Sequence, residues 1–115
     1  MGTDDRDRSV IEKMLTYCRQ IEEAHVQFGR DRQVFVENSV YQNAVALCVM
    51  QIRELANHLS EDFRTAHDGI PWRAIRGMRN LVAHEYGRLD AAILWETATE
   101  DIVELGQYCK TVLGQ

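Results

Sequence analysis

The sequence lacks any apolar run near the roughly 20 residues that a membrane-spanning helix needs. Its opening stretch, MGTDDRDRS, is charged and carries no apolar segment of a secretory signal. Gly2 follows Met1, but Arg6 stands where a myristoylation signal needs serine or threonine. We therefore expect a soluble protein of the cytoplasm that does not bind a membrane.

Cysteines are few, and their spacing excludes the usual cysteine frameworks. The three residues Cys18, Cys48 and Cys109 lie far apart and form no CxxC pair. An odd number without ligand spacing argues against both a disulfide framework and a zinc site. Each falls among apolar positions at helical spacing, so we expect three buried small side chains.

The histidines show no metal-ligand spacing either. His84 and Glu85 resemble the opening of HExxH, but Arg88 stands where the second histidine would be. His25, His58 and His67 are isolated, and we expect them at the surface or at helix ends with no special role. The sequence therefore predicts no metal and no cofactor.

The charge balance is acidic. Eighteen Asp and Glu against 13 Lys and Arg give a net charge of −5, which does not indicate a broad nucleic-acid-binding surface. RNA would have to meet a local basic site. Residues 71–90 are the candidate segment, because they contain four arginines and only two acidic residues, Glu85 and Asp90. The arginines are Arg73, Arg76, Arg79 and Arg88.

Length and hydrophobic spacing predict one all-α domain over residues 1–115. A domain of this size can bury only a modest core, because small domains leave much of their surface exposed. Dimerisation would bury more apolar surface. Apolar residues recur at spacings of three and four, which predicts four main helices and one short helix in an up-and-down bundle. The first predicted helix runs from Ser9 to Phe28 and begins with a Ser9–Glu12 capping box. The second runs from Asp31 without a break to about Leu59, and a short helix capped by Ser60 follows it. The last two run from Pro71 to about His84 and, capped by Asp90, from Ala91 to about Leu113.

The stretch MRNLVAHEYGRLD, residues 78–90, concentrates polar chemistry beside apolar positions. On a straight helix Asn80 and His84 share a face, but Arg79 and His84 lie about 140° apart. The reach of the arginine, a bend before Gly87, or a twofold-related second copy could bring them together. Spacing alone favours a purely structural interpretation, in which Arg79 pairs with Glu85 or Asp90, His84 caps the C-terminus of the helix, and Tyr86 packs.

The spacing Arg79, four residues, His84, one residue, Tyr86 resembles the RX4HXY signature of HepT-type toxins of the HEPN superfamily. Further similarity comes from the Pro71-Trp72 pair that opens the segment and from Leu94-Trp95 after it. The resemblance covers the chain in helix order and is specific over residues 71–95. It implies a helical HEPN domain with metal-independent endoribonuclease activity, in a type VII system with an MNT-domain nucleotidyltransferase antitoxin.

The same resemblance implies roles for individual residues. His84 and Arg79 would be catalytic, since imidazole exchanges protons near neutral pH and guanidinium binds phosphate oxygens. Asn80 and Tyr86 would support them, and Tyr86 would also be the site where the antitoxin transfers AMP. We expect Arg73, Arg76 and Arg88 to contact the RNA, whether transfer or messenger RNA. Since one histidine cannot easily act as base and acid at once, we expect a homodimer with a shared cleft.

The sequence is also compatible with two other classes of function. A non-catalytic helical module that partners a nucleotidyltransferase would share the fold and suit an acidic surface. A small-nucleotide-binding domain would show nucleotide-dependent thermal stabilisation that requires Arg79.

Overall fold

The computed structural model describes residues 4–72, 75, 82–83 and 88–115, with the backbone alone at 82, 83, 88 and 89. The predicted all-α helical bundle is confirmed. Within these described ranges no helix is long and apolar enough to cross a membrane.

The first helix, α1 (Asp5–Gln27), begins four residues earlier than predicted. Its cap is the Asp4 carboxylate, which accepts a hydrogen bond from the backbone N–H of Arg6 at 2.7 Å, so the predicted capping box at Ser9 is wrong. The predicted end is confirmed at Phe28. Gly29 follows with a φ of +74°, a conformation that glycine adopts without steric cost.

The long helix predicted from Asp31 is in fact two helices, α2 (Arg32–Glu37) and α3 (Ser39–Ala56). Asp31 caps α2 as predicted. The break is at Asn38, whose backbone is extended and whose side-chain carbonyl accepts from the Tyr41 N–H at 3.0 Å. An asparagine side chain can replace the helical partner of a backbone N–H in this way, and it therefore starts a new helix.

After α3 comes the short helix α4 (Glu61–Ala66), capped as predicted by Ser60, whose hydroxyl accepts from the Phe63 N–H at 3.0 Å. The helix predicted from Pro71 is supported at Trp72 and Ile75, which are helical. Its predicted end near His84 is wrong, because β1 (Val82–Ala83) is extended and pairs antiparallel with β2 (Arg88–Leu89). Val82 lies opposite Leu89, and Ala83 opposite Arg88.

The last predicted helix is confirmed, with an irregularity at its centre. It consists of α5 (Ala91–Glu96), a π-helical turn (Thr97–Asp101) and α6 (Ile102–Val112), and Asp90 caps it as predicted. In the π turn the backbone bonds run from residue i to i+5. The Thr99 hydroxyl, within this turn, donates a hydrogen bond at 2.8 Å to the backbone carbonyl of Trp95, which lies just before the turn.

The core lies where α1 packs against α3 and α6. Its fully buried side chains include Ile11, Met14, Val49 and Ile52. Cys18, Cys48 and Cys109 are buried and free, as predicted. Burial raises the pKa of the Cys18 and Cys109 thiols to about 12, so both are protonated and chemically inert at neutral pH.

One buried charge joins the start of α1 to the start of α4. The Asp7 side chain is only 3% exposed. Its carboxylate accepts from the Ser60 N–H at 2.8 Å and from the Ser60 hydroxyl at 2.7 Å. Because the same Ser60 hydroxyl caps α4, this contact fixes α4 on the bundle.

Replacing Asp7 by alanine should lower the free energy of unfolding by about 2 kcal/mol, since two hydrogen bonds to its buried carboxylate are lost. Urea denaturation measures this change. Asp5→Ala, at an exposed position of the same helical turn, is the matched control and should cost much less. Equal losses in the two variants would contradict a structural role for Asp7.

Candidate functional site

The signature residues are the predicted centre of the site. Arg79, Asn80, His84 and Tyr86 lie outside the described residues, as do Arg73 and Arg76. The backbone of Arg88 is in β2, and its side chain is likewise outside the description. Their roles stay predictions, and the described residues on either side show how the chain is held around them.

Trp72 anchors the chain just before the signature. Its indole N–H donates to the His67 carbonyl at 2.8 Å, and its ring lies 6.1 Å from that of Phe63. Ile70, Trp72 and Ile75 are all buried. Trp72 of the Pro-Trp pair therefore holds the start of the segment in the core, while Pro71 is exposed.

The paired strands hold the chain around the second half of the signature. Ala83, immediately before His84, is paired with Arg88, immediately after Gly87. Asp90 then caps α5 through its carboxylate, which accepts from the Ile93 N–H at 3.1 Å. Because the backbone is extended at Val82 and Ala83, the separation of about 140° that a straight helix would impose between positions 79 and 84 does not apply.

Three of the four histidines lie in the described part. His58 is exposed, as predicted. His67 is half-buried, its ring stacks on Phe63 at 4.2 Å, and its Nδ1 shares a hydrogen bond with the Tyr108 hydroxyl at 2.8 Å. His67 thus has a packing role that the sequence prediction missed, next to the Trp72 anchor.

His25 contradicts the expectation of a histidine with no special role. It lies in the last turn of α1 but is only 1% exposed. Its Nδ1 forms a short hydrogen bond with the Tyr41 hydroxyl, and its ring meets Trp95 edge-on at 5.6 Å. The sequence feature that could have indicated its burial is its spacing, since His25 continues the apolar stripe of Cys18 and Ile21 at intervals of three and four.

Burial decides the chemistry of His25. Desolvation, followed by the nearby Arg30 charge, holds the pKa of His25 below its usual value, against smaller opposing effects from Glu22 and the Ala98 backbone. Its Nε2 has no hydrogen-bond partner within the described part of the chain. A neutral, enclosed imidazole cannot reach an RNA 2′-hydroxyl, so His25 is a core residue and not a general base.

No metal centre is formed by the residues that the structure describes, since nowhere do three potential His, Cys, Asp or Glu ligands come together among them.

Comparison with known proteins identifies the family. The family model described as HepT-like, "Ribonuclease HepT-like", matches residues 14–112. This chain belongs to the HepT-like ribonuclease family. The match extends the similarity seen at residues 71–95 across α1 to α6, so the resemblance read from the signature is confirmed at family level. No solved structure matches the chain.

Several curated relatives of the HepT-like chain carry ribonuclease names. "Putative RNase TTE0752" of Caldanaerobacter subterraneus subsp. tengcongensis is 33% identical over 92% of this chain and 93% of its own length. "Putative RNase MJ0125" of Methanocaldococcus jannaschii is 32% identical over 85% and 83%. "Probable ribonuclease HepT" of Thermococcus cleftensis is 38% identical over 56% and 58%.

The lowered pKa of His25 predicts acid sensitivity. As the pH falls below 6.5, the unfolded chain binds a proton at His25 that the folded chain resists, so stability decreases. Urea denaturation at about pH 7.5 and about pH 5.5 should show a lower free energy of unfolding at the acidic pH. His25→Gln should flatten this difference. An unchanged difference in the variant would assign the acid sensitivity to other groups.

Proposed function

We propose that this chain is a metal-independent endoribonuclease toxin, a single HEPN domain over residues 1–115 that acts in the cytoplasm. The observation that carries the proposal is that the HepT-like match over residues 14–112 contains the complete signature of Arg79, His84 and Tyr86. The ribonuclease names of relatives such as those of Caldanaerobacter and Thermococcus support the same activity.

The proposed chemistry is attack of a ribose 2′-oxygen on the adjacent phosphorus. A base removes the 2′-OH proton, the new 2′-O–P bond forms, and the P–O5′ bond breaks as an acid protonates the leaving 5′-oxygen. The products are a 2′,3′-cyclic phosphate and a 5′-hydroxyl. Both proton transfers suit an imidazole such as His84, and the permanently charged guanidinium of Arg79 would stabilise the pentavalent phosphorane.

The signature supplies only one histidine per chain, His84, whereas the mechanism needs both a base and an acid. We propose that two copies meet in a homodimer, so that one His84 accepts the proton while its twofold mate donates one. Asn80 would orient Arg79 or His84, and Tyr86 would bind phosphate or stack on a base. Arg73, Arg76 and Arg88 would hold the RNA backbone.

We also propose control by an MNT-domain nucleotidyltransferase in a type VII toxin–antitoxin pair. Transfer of AMP to the Tyr86 hydroxyl would place a phosphodiester charge and bulk inside the cleft. That charge would occupy Arg79 and repel RNA, which would switch the nuclease off.

The alternative is a non-catalytic helical module that partners a nucleotidyltransferase. The net charge of −5 is compatible with this alternative as well as with the nuclease, because an acidic surface suits a protein partner and also allows RNA recognition at one local site. The two functions differ in one respect that an assay can measure, namely RNA cleavage that depends on His84.

Purified protein should cleave RNA in EDTA, leaving cyclic phosphate ends, and His84→Ala should reduce the rate by at least about 100-fold, the usual contribution of general acid–base catalysis. Gel analysis of labelled RNA measures the rate, and circular dichroism confirms the fold. Glu104→Ala, at an exposed position of α6, is the control and should cleave normally. Equal inactivity of the wild type and His84→Ala would instead favour the binding module.

A further inference from the structure

A shallow depression of about 410 Å³ lies between the first half of α1 and the end of α3. On α1 its lining residues follow helical spacing along one face: Arg6, Ser9, Val10 and Lys13. Leu55 and His58 line it from the side of α3. Arg6, Ser9, Lys13 and His58 are exposed, and we call these four residues the basic patch.

The cations of the basic patch differ from two other cations on α1 and just beyond its C-terminal end. Arg8 pairs with Glu12 at 3.4 Å, and Arg30 pairs with Glu22. Within the described part of the chain, by contrast, neither the Arg6 guanidinium nor the Lys13 ammonium makes an ion pair or a side-chain hydrogen bond. The described residues therefore leave both charges open to an external anion.

None of the neighbouring carboxylates of α1 pairs directly with Arg6 or Lys13. Asp4 caps α1, Asp7 is buried against Ser60, and Glu12 is held by Arg8. Asp5 is exposed but lies about 100° away from Arg6 around the helix. In a chain with an excess of acidic residues, the patch is a local site where an anion meets two free positive charges and two further donors, the Ser9 hydroxyl and the His58 ring.

The patch is connected to the signature segment through a short path. Asp7, on the turn of α1 between Arg6 and Ser9, binds Ser60 at the start of α4. The six residues of α4 span about 9 Å. Phe63 and His67 then contact Trp72, which opens the segment that carries the signature.

We propose that the basic patch binds the backbone phosphates of single-stranded RNA on one side of the cleaved bond. This inference rests on the proposed ribonuclease function and adds a substrate-binding surface to it. The Arg6 fork and the Lys13 ammonium contact phosphate oxygens, while Ser9 and His58 donate hydrogen bonds to the same backbone. Such contacts hold RNA without reading its sequence.

The test measures RNA binding without cleavage, in full-length His84→Ala protein. Fluorescence anisotropy with a labelled single-stranded oligonucleotide gives the affinity over a range of salt concentrations. In this background Arg6→Gln with Lys13→Gln should weaken binding by about 10-fold at low salt and reduce the slope of log K against log salt by about 1.4, since each phosphate contact to a single strand contributes about 0.7.

The matched control is Arg32→Gln with Lys110→Gln. Both positions are exposed, neither lines the depression, and the change removes the same number of positive charges. The control should keep the parent slope. Equal weakening in both double variants would assign the effect to net charge and overturn the patch, as would unchanged binding in the patch variant.

Failure of the patch can be distinguished from failure of the proposed function. If the wild type cleaves RNA and the patch variant binds like the control, only the patch assignment is wrong. If the wild type cleaves no RNA and the His84→Ala protein binds none, the ribonuclease proposal falls together with the patch.

Discussion

The packing of α1 against α3 is the interaction on which the rest of the structure depends. Ile11 and Met14 on one helix and Val49 and Ile52 on the other are fully buried, and each such side chain contributes about 2 kcal/mol of hydrophobic free energy. This contact sets the rotation of α1 about its axis. It buries Asp7 near one end and His25 near the other, and it leaves the basic patch facing outward.

The parts of the fold that local chemistry determines could be predicted from the sequence. Asp31, Ser60 and Asp90 were identified as helix caps because their side chains satisfy free N–H groups at the next residues. Asn38 was missed because the apolar spacing continues across it, so periodicity alone gave no sign of a break. The π turn was missed for a similar reason, since the buried residues Leu94, Ala98 and Ile102 are spaced by four across it, as in an ordinary helix.

The site could be predicted only through a family signature. Arg79, His84 and Tyr86 stand out by spacing, but spacing does not determine which of their side chains face each other. The short apolar run at Leu81 and Val82 suits a helix or a strand equally, so the extended backbone of β1 could not be foreseen. The burial of His25 was missed because spacing does not show that the distant Tyr41 hydroxyl provides a hydrogen-bond partner for its Nδ1.

The central claim is that two copies of His84 share one catalytic cleft. The most direct test mixes wild-type subunits with His84→Ala subunits, exchanges them to equilibrium, and measures the RNA cleavage rate against the wild-type fraction. A shared site predicts that the rate falls with the square of that fraction, because every mixed dimer lacks either the base or the acid. A rate that falls in direct proportion would show that each subunit cleaves alone, and would contradict the account.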